Sequence, residues 1–104
     1  MTKIVPIQNA PSRVEIKKII STLVAEGRVK FHKHWYARKQ FRKLTDIQAI
    51  NCLKKGRVDE DPVMDLSHKG WKTALVDNTA GKRLRIVVCV QWTENALIIT
   101  GYYD

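Results

Sequence analysis

The sequence has few cysteines and no long apolar run, and both shortages narrow the class of protein. Cys52 and Cys89 are the only cysteines, and they lack the paired spacing of a zinc site or a redox motif. We interpret them as reduced core residues of a cytoplasmic protein. The longest uncharged apolar run, 86–90, is far shorter than the ~20 residues that span a bilayer. The first residues lack the apolar core of a secretory signal, so we expect a cytoplasmic location and no membrane partner.

Cofactor-binding patterns are missing as well. The chain has no P-loop and no dinucleotide-binding glycine pattern, so we expect no cofactor. Its 104 residues, of which 44% are hydrophobic and 28% charged, fit one globular domain. Pro6 and Asn9 interrupt any periodicity near the start. We therefore predict a flexible arm over residues 1–10 and a single domain over 11–104.

Acidic residues are scarce, and the resulting positive charge is concentrated in one stretch. Ten Asp and Glu stand against nineteen Lys and Arg, which gives a net charge of +9 and a pI near 9.8. The segment from Arg28 to Arg57 holds ten basic residues and one acid, so its charge equals that of the whole chain. Such a field attracts polyanions, of which nucleic acid is the commonest in the cytoplasm. The alternative is a solvated surface that keeps the protein soluble.

Two capping-box patterns predict helices. Ser12 and Glu15 predict a helix over 13–26, and a second box beginning at Thr45 predicts one over 46–55. The residues expected to be buried by their helical spacing are Ile16, Ile19, Ile20, Leu23 and Val24 in the first helix and Ile47, Ile50 and Leu53 in the second. A further short helix is predicted over 34–43.

The remaining periodicity predicts strands. Alternation at 28–32 gives a short strand with one basic face, and the second half gives strands over 57–60, 70–77, 84–90 and 96–103 with turns at 77–81 and 93–95. Because helices and strands are segregated along the chain, we predict an α+β fold. Its N-terminal helix and one or two further helices should pack on a small antiparallel sheet.

One polar cluster stands out for its chemistry. On a helix, His34, Arg38 and Arg42 lie at i, i+4 and i+8 and stack along one face. Such a row of cationic groups repels itself unless an anion lies between them, and a phosphate suits both arginine and histidine. The alternative is that the two arginines pair with the acidic loop 59–61.

The same cluster carries a family resemblance. His34-x3-Arg38-x3-Arg42-x-Leu44-Thr45, followed by a helix that ends at Gly56, resembles the signature of domain-of-unknown-function family 4258. The chain end is also similar, with the apolar run 86–90, a hairpin and an aromatic Tyr102, so the resemblance spans 28–103. It implies a RelE-like architecture and membership among small RelE-, BrnT- and MqsR-like toxins. These toxins are inhibited by antitoxins and cut RNA without a metal ion.

This resemblance implies roles for particular residues. Metal-independent RNA cleavage needs a general base, a general acid and cations on the phosphorane. The candidate catalytic residues are His34 for proton transfer, Arg38 and Arg42 on the phosphate, and His32 and Tyr102 as second proton carriers. The candidate RNA-binding residues are Arg28, Lys30, Lys33, Trp35, Tyr36, Lys39 and Lys43. We expect an RNA substrate and a cognate antitoxin as partners.

The sequence also allows other interpretations of these residues and of the function. His32 and His34 could be a metal pair, although His68 is the only further histidine and lies in a predicted turn, where we interpret it as a plain loop residue. Trp35 and Tyr36 could pack in the core. A domain that binds nucleic acid without cutting it, or an inactive toxin fold, would use the same basic patch. A pure protein-interaction module would bind no RNA.

Overall fold

A computed structural model of the chain describes residues 10–32, 46–79, 82–93 and 96–103. The described elements are α1 (Arg13–Ala25), β1 (Val29–Phe31), α2 (Asp46–Lys55), β2 (Arg57–Val58), β3 (Val63–Asp65), β4 (Gly70–Thr79), β5 (Lys82–Gln91) and β6 (Leu97–Tyr103). The α+β class is confirmed. The predicted arm (all but its last residue) and the predicted helix at 34–43 lie outside the described residues.

Helix α1 begins at the predicted capping box. The Ser12 hydroxyl accepts a hydrogen bond from the Glu15 amide at 3.1 Å, and the Glu15 carboxylate accepts one from the Ser12 amide at 2.9 Å. The helix ends one residue before the predicted bound, and Gly27 follows with a φ of +72° that favours glycine. Four of the five predicted core positions are buried, and Ile19 packs partly against them.

Removing this cap should weaken the fold by a measurable amount. Ser12→Ala leaves the Glu15 amide without its side-chain acceptor, and we expect a loss of about 1 kcal/mol in the free energy of unfolding. Urea denaturation followed by circular dichroism measures it. Ser21→Ala, an exposed change in the middle of α1, is the matched control and should be neutral or slightly stabilising. Equal stability of the two variants would contradict the role of the cap.

Helix α2 has the predicted bounds, and its buried face differs in part from the predicted one. Leu53 is buried and Ile50 packs partly against the core, as predicted, whereas Ile47 is 72% exposed and Ala49 and Cys52 are buried in addition. The end of the helix lies close to the sheet, because a Cβ on Gly56 would lie 2.8 Å from the carbonyl oxygen of Val76 on β4. Thr45, the start of the second predicted capping box, lies outside the described residues.

The sheet is mixed, with strand order β1-β6-β5-β4-β2, and β3 also pairs with β4. All pairings are antiparallel except that of β1 with β6, where Val29 lies opposite Leu97. The prediction of a wholly antiparallel sheet is therefore wrong at this edge. Strand β3 was not predicted, and the predicted strand at 57–60 is only two residues long. The β4–β5 pairing reaches Thr79 and Lys82, further than predicted.

The core lies between the helices and one face of this sheet. Ile16 and Ile20 of α1 and Leu53 of α2 belong to the same buried cluster as Ile86 and Val88 of β5. Residues paired across neighbouring strands project to the same side, so Thr73 also faces the core, and Lys72 and Val87 project to the opposite face. Phe31 packs against the core, which places the next residue, His32, on that opposite face.

The two thiols should be unreactive in the folded protein. Both cysteines are free and buried, as predicted, and burial raises the pKa of Cys52 to about 11 and that of Cys89 to about 12. At pH 8 we expect a thiolate fraction of about one thousandth or less, and hence no reaction with Ellman's reagent until denaturant is added. Guanidinium should then release two thiols per chain. Rapid reaction without denaturant would contradict the burial.

The same shifts predict a direction for alkaline stability. A thiol whose pKa is raised by folding stabilises the folded state while it stays protonated. This contribution is therefore complete below the ordinary thiol pKa and is lost as the pH rises through the values of about 11 and about 12.

Candidate histidine–aspartate site

Much of the predicted site lies outside the residues that the structure describes. The undescribed candidates are the predicted catalytic residues His34, Arg38 and Arg42 and the predicted RNA-binding residues Lys33, Trp35, Tyr36, Lys39 and Lys43. Tyr102 is placed by its backbone, which pairs with that of Ile86, but its side chain is undescribed. Three candidates remain: His32, Arg28 and Lys30. Of these, His32 contacts a histidine and aspartate pair that the sequence did not single out.

His32 is positioned by the edge of the sheet. Its amide donates a hydrogen bond to the Ile99 carbonyl at 3.0 Å, which continues the β1–β6 pairing by one residue. The ring of His32 lies edge-to-face against the ring of His68, with ring centres 5.5 Å apart and planes at 84°. Two proton-active side chains separated by 36 positions in the sequence are thereby brought into contact.

A short hairpin presents His68 to this contact. Strand β3 pairs with the start of β4, with Asp65 opposite Gly70, and four turn residues join the two strands. Lys69 ends the turn at a φ of 55°. The Asp65 carboxylate accepts hydrogen bonds from the Ser67 amide at 3.1 Å and the Ser67 hydroxyl at 2.8 Å, the local pattern by which aspartate stabilises turns.

Asp65 also fixes the histidine ring. Its second carboxylate oxygen lies 2.8 Å from His68 Nδ1, and the side chains of Asp65 and His68 are 14% and 26% exposed. Burial favours the neutral carboxyl, but the hydrogen bonds from His68 and Ser67 together outweigh it and lower the pKa of Asp65. An ionised carboxylate only accepts hydrogen bonds, so Nδ1 is the donor. Nε2 is the ring nitrogen that Asp65 does not contact.

His68 lines a cleft on the sheet face opposite the helices. This cleft has a volume of about 580 Å³, and its polar lining includes Asp65, Ser67, His68, Lys72 and Thr100. The exposed Lys72 adds a positive charge. An anionic substrate in the cleft would therefore meet an oriented histidine and a cation together.

His68 has more side-chain contacts than the interpretation as a plain loop residue implies. It does lie in a turn, as predicted, but its ring is half-buried and held by Asp65 and His32. The signal that could have found it is local: Asp65, Ser67 and His68 have the spacing of an aspartate-stabilised turn. The contact with His32 has no local signal, because it depends on how the β3–β4 hairpin crosses the sheet.

Two of the predicted RNA-binding residues, Arg28 and Lys30, lie among the described residues. Lys30 is exposed on β1, and Arg28 lies 3.4 Å from the Glu26 carboxylate. The acidic loop, which the sequence offered as a partner for Arg38 and Arg42, is engaged with other arginines. Its ion pairs join Asp61 to Arg13 at 2.7 Å, Asp59 to Arg85 at 2.6 Å and Glu60 to Arg85 at 2.8 Å.

Among the described residues, no group of three or more His, Cys, Asp or Glu is arranged to hold a metal ion. No helix in the described part is long and apolar enough to cross a membrane. No protein-family model matches the chain, and no curated protein does so either.

Proposed function

We propose that this protein is a metal-independent endoribonuclease, the toxin of a toxin–antitoxin pair. The observation that carries the proposal is the contact between His32 and an Asp65-oriented His68 at the edge of a cleft. Protein surfaces often carry single histidines, but two in contact, one of them oriented by a carboxylate, match what general acid–base catalysis requires. The net charge of +9 supports a polyanionic substrate.

The chemistry uses only groups that the protein and RNA supply. The ribose 2′-oxygen attacks the adjacent phosphorus, and one histidine removes the 2′-hydroxyl proton. The bond from phosphorus to the 5′-oxygen breaks, and the other histidine donates a proton to that oxygen. The products are a 2′,3′-cyclic phosphate and a 5′-hydroxyl. Lys72, which lines the same cleft as His68, would stabilise the charge on the phosphorane.

The site also has features that suit a protein partner. Val63 and Met64 of β3 and Leu66 of the turn are 55%, 48% and 72% exposed, and they line the same cleft as His68. A partner that buried these apolar side chains would also cover the proposed active site. We propose that this partner is a cognate antitoxin whose acidic residues match the basic charge of the chain.

The first experiment tests cleavage itself. Purified protein is incubated in EDTA with an RNA 20-mer and with a DNA of the same sequence, and in Mg²⁺ buffer, which ribosomes require, with mRNA on translating ribosomes. We expect cleavage of RNA only, leaving 2′,3′-cyclic phosphate ends, because the 2′-hydroxyl is the nucleophile. Cleavage of DNA, or products with other ends, would overturn the mechanism. No cleavage of free or ribosome-bound RNA, with binding retained, would favour a non-catalytic nucleic-acid-binding domain.

A further inference from the structure

A second cleft, of about 410 Å³, lies at the other end of the β4–β5 pair. Its lining residues come from the end of α2 and from β2, β4 and β5: Lys55, Arg57, Val76, Asp77, Asn78 and Arg83. The three basic side chains and Asn78 belong to exposed residues. Three cations therefore meet one carboxylate around a solvent-accessible cleft.

The fold brings these cations together from separate elements. Arg57 pairs with Val76 on one side of β4, and Arg83 pairs with Asn78 on the other. Since Val76 and Asn78 are two residues apart, they project to the same face. Paired residues share that face, so Arg57 and Arg83 flank it from both sides. Lys55 reaches the cleft from the last turn of α2, two residues before Arg57.

The nearby acids are largely matched by other cations. Lys17 caps the end of α2 through hydrogen bonds to the Leu53 and Lys54 carbonyls at 2.7 and 3.1 Å, and it lies close enough to Asp77 for the two charges to attract. Asp59 forms its short ion pair with Arg85 at 2.6 Å and lies 3.6 Å from Arg83, whose side chain is 60% exposed.

A position at the end of α2 explains only one of the three basic residues that line the second cleft. A lysine in the last turn of α2 stabilises the helix dipole, which explains Lys55. Arg57 and Arg83 lie on strands and have no such role. Their positive charges repel one another across β4, and an anion in the cleft would relieve that repulsion.

We infer that this cleft binds backbone phosphates of RNA, at a distance from the histidine site. The inference rests on the proposed function, which supplies RNA as the polyanion. Lys72 lines the histidine cleft and Asn78 lines this one, and six residues of strand separate them by about 20 Å. The basic cleft therefore holds nucleotides that flank the cleavage position, and it raises affinity without sequence preference.

The test measures binding to RNA that cannot be cut. The probe is a fluorescent 2′-O-methyl RNA 20-mer, and its dissociation constant is measured by anisotropy between 50 and 300 mM salt. Arg57→Gln/Arg83→Gln removes two phosphate contacts, so the slope of log affinity against log salt should become shallower by about 1.4. Arg13→Gln/Lys18→Gln removes the same charge from α1 and should leave the slope within about 0.3 of the wild-type value.

The possible outcomes separate this inference from the proposed function. Equal slopes for the two double variants would overturn the cleft inference, and circular dichroism checks that both are folded. If the slope falls only in the cleft variant but the wild type cuts no RNA, the cleft binds RNA and the nuclease proposal fails. If RNA is cut but both variants bind alike, the cleft inference alone fails.

Discussion

Replacing His68 with alanine is expected to slow RNA cleavage by about 10² to 10⁴-fold, the usual contribution of one positioned general acid or base. The loss should appear in kcat, because the proposed role of His68 is to transfer a proton in the transition state and not to bind the phosphate of the substrate. His32→Ala should have an effect of similar size. RNA affinity, measured with the 2′-O-methyl probe, should change less than threefold in both variants. The rate is followed on a fluorogenic RNA substrate in EDTA.

A matched change in the same turn separates catalysis from structure. Ser67→Ala removes a hydroxyl that donates a hydrogen bond to Asp65 at 2.8 Å and lies 3.3 Å from His68 Nδ1, but it removes no proton-transfer group, so it should cleave within about threefold of the wild-type rate. Imidazole added to His68→Ala should restore part of the activity, which a merely structural role would not allow. Undiminished cleavage by His68→Ala would show that the histidine is only a turn residue.

The pH dependence gives a second discriminating readout. With one histidine acting as base and the other as acid, kcat/KM should rise and then fall as the pH increases. Each single-histidine variant should lose one limb of this bell. The ionised state of Asp65 should persist throughout, because its pKa is lowered. A profile that both variants leave unchanged would place the proton transfer elsewhere.

The helices could be predicted from sequence because their signals are local. The Ser12–Glu15 box and the apolar spacing after it place α1 to within one residue, and α2 has its predicted bounds. The buried face of α2 could be predicted only in part, since burial also depends on how the helix packs against the sheet. The parallel pairing of β1 with β6 joins residues 68 positions apart, such as Val29 and Leu97. Alternation along a strand does not reveal its neighbour.

One of the two histidines of the candidate site could be predicted from the sequence. His32 was found because it ends a basic strand beside a recognisable motif. His68 was missed because its importance comes from two contacts of different range, a local one to Asp65 and a distant one to His32. The distant contact requires β3, which is three residues long and too short to show periodicity. The two histidines therefore meet only when the β3–β4 hairpin is formed.

That dependence makes Gly70 a sensitive position for both the stability and the site. Gly70 begins β4 and pairs with Asp65 on one side and Gln91 on the other. A Cβ here would overlap the Val90 carbonyl oxygen and lie 2.6 Å from the Cys89 sulfur. Both obstacles are buried and rigid. Gly70→Ala should therefore cost about 3 kcal/mol or more of unfolding free energy and lower the Tm by more than about 10 °C.

Gly101 offers the matched control within the same sheet. It lies on β6 opposite Val87, and a Cβ added to it meets nothing within 4 Å. Gly101→Ala should therefore leave the Tm within about 3 °C of the wild type, or raise it slightly, because alanine loses less backbone entropy on folding. If Gly70→Ala is equally harmless, the packing of β4 against β5 is looser than the structure indicates.

The consequence of Gly70→Ala for the site separates stability from activity. To accommodate the methyl group, β4 must move away from β5 at its first residue, and the turn that carries His68 is attached there. Below its Tm the folded variant should still bind the 2′-O-methyl probe through the basic cleft about 20 Å along β4, but its cleavage rate should fall by at least tenfold, because a small misplacement of a catalytic group is costly. Loss of both properties in parallel with unfolding would instead show that the hairpin and the rest of the sheet form one cooperative unit.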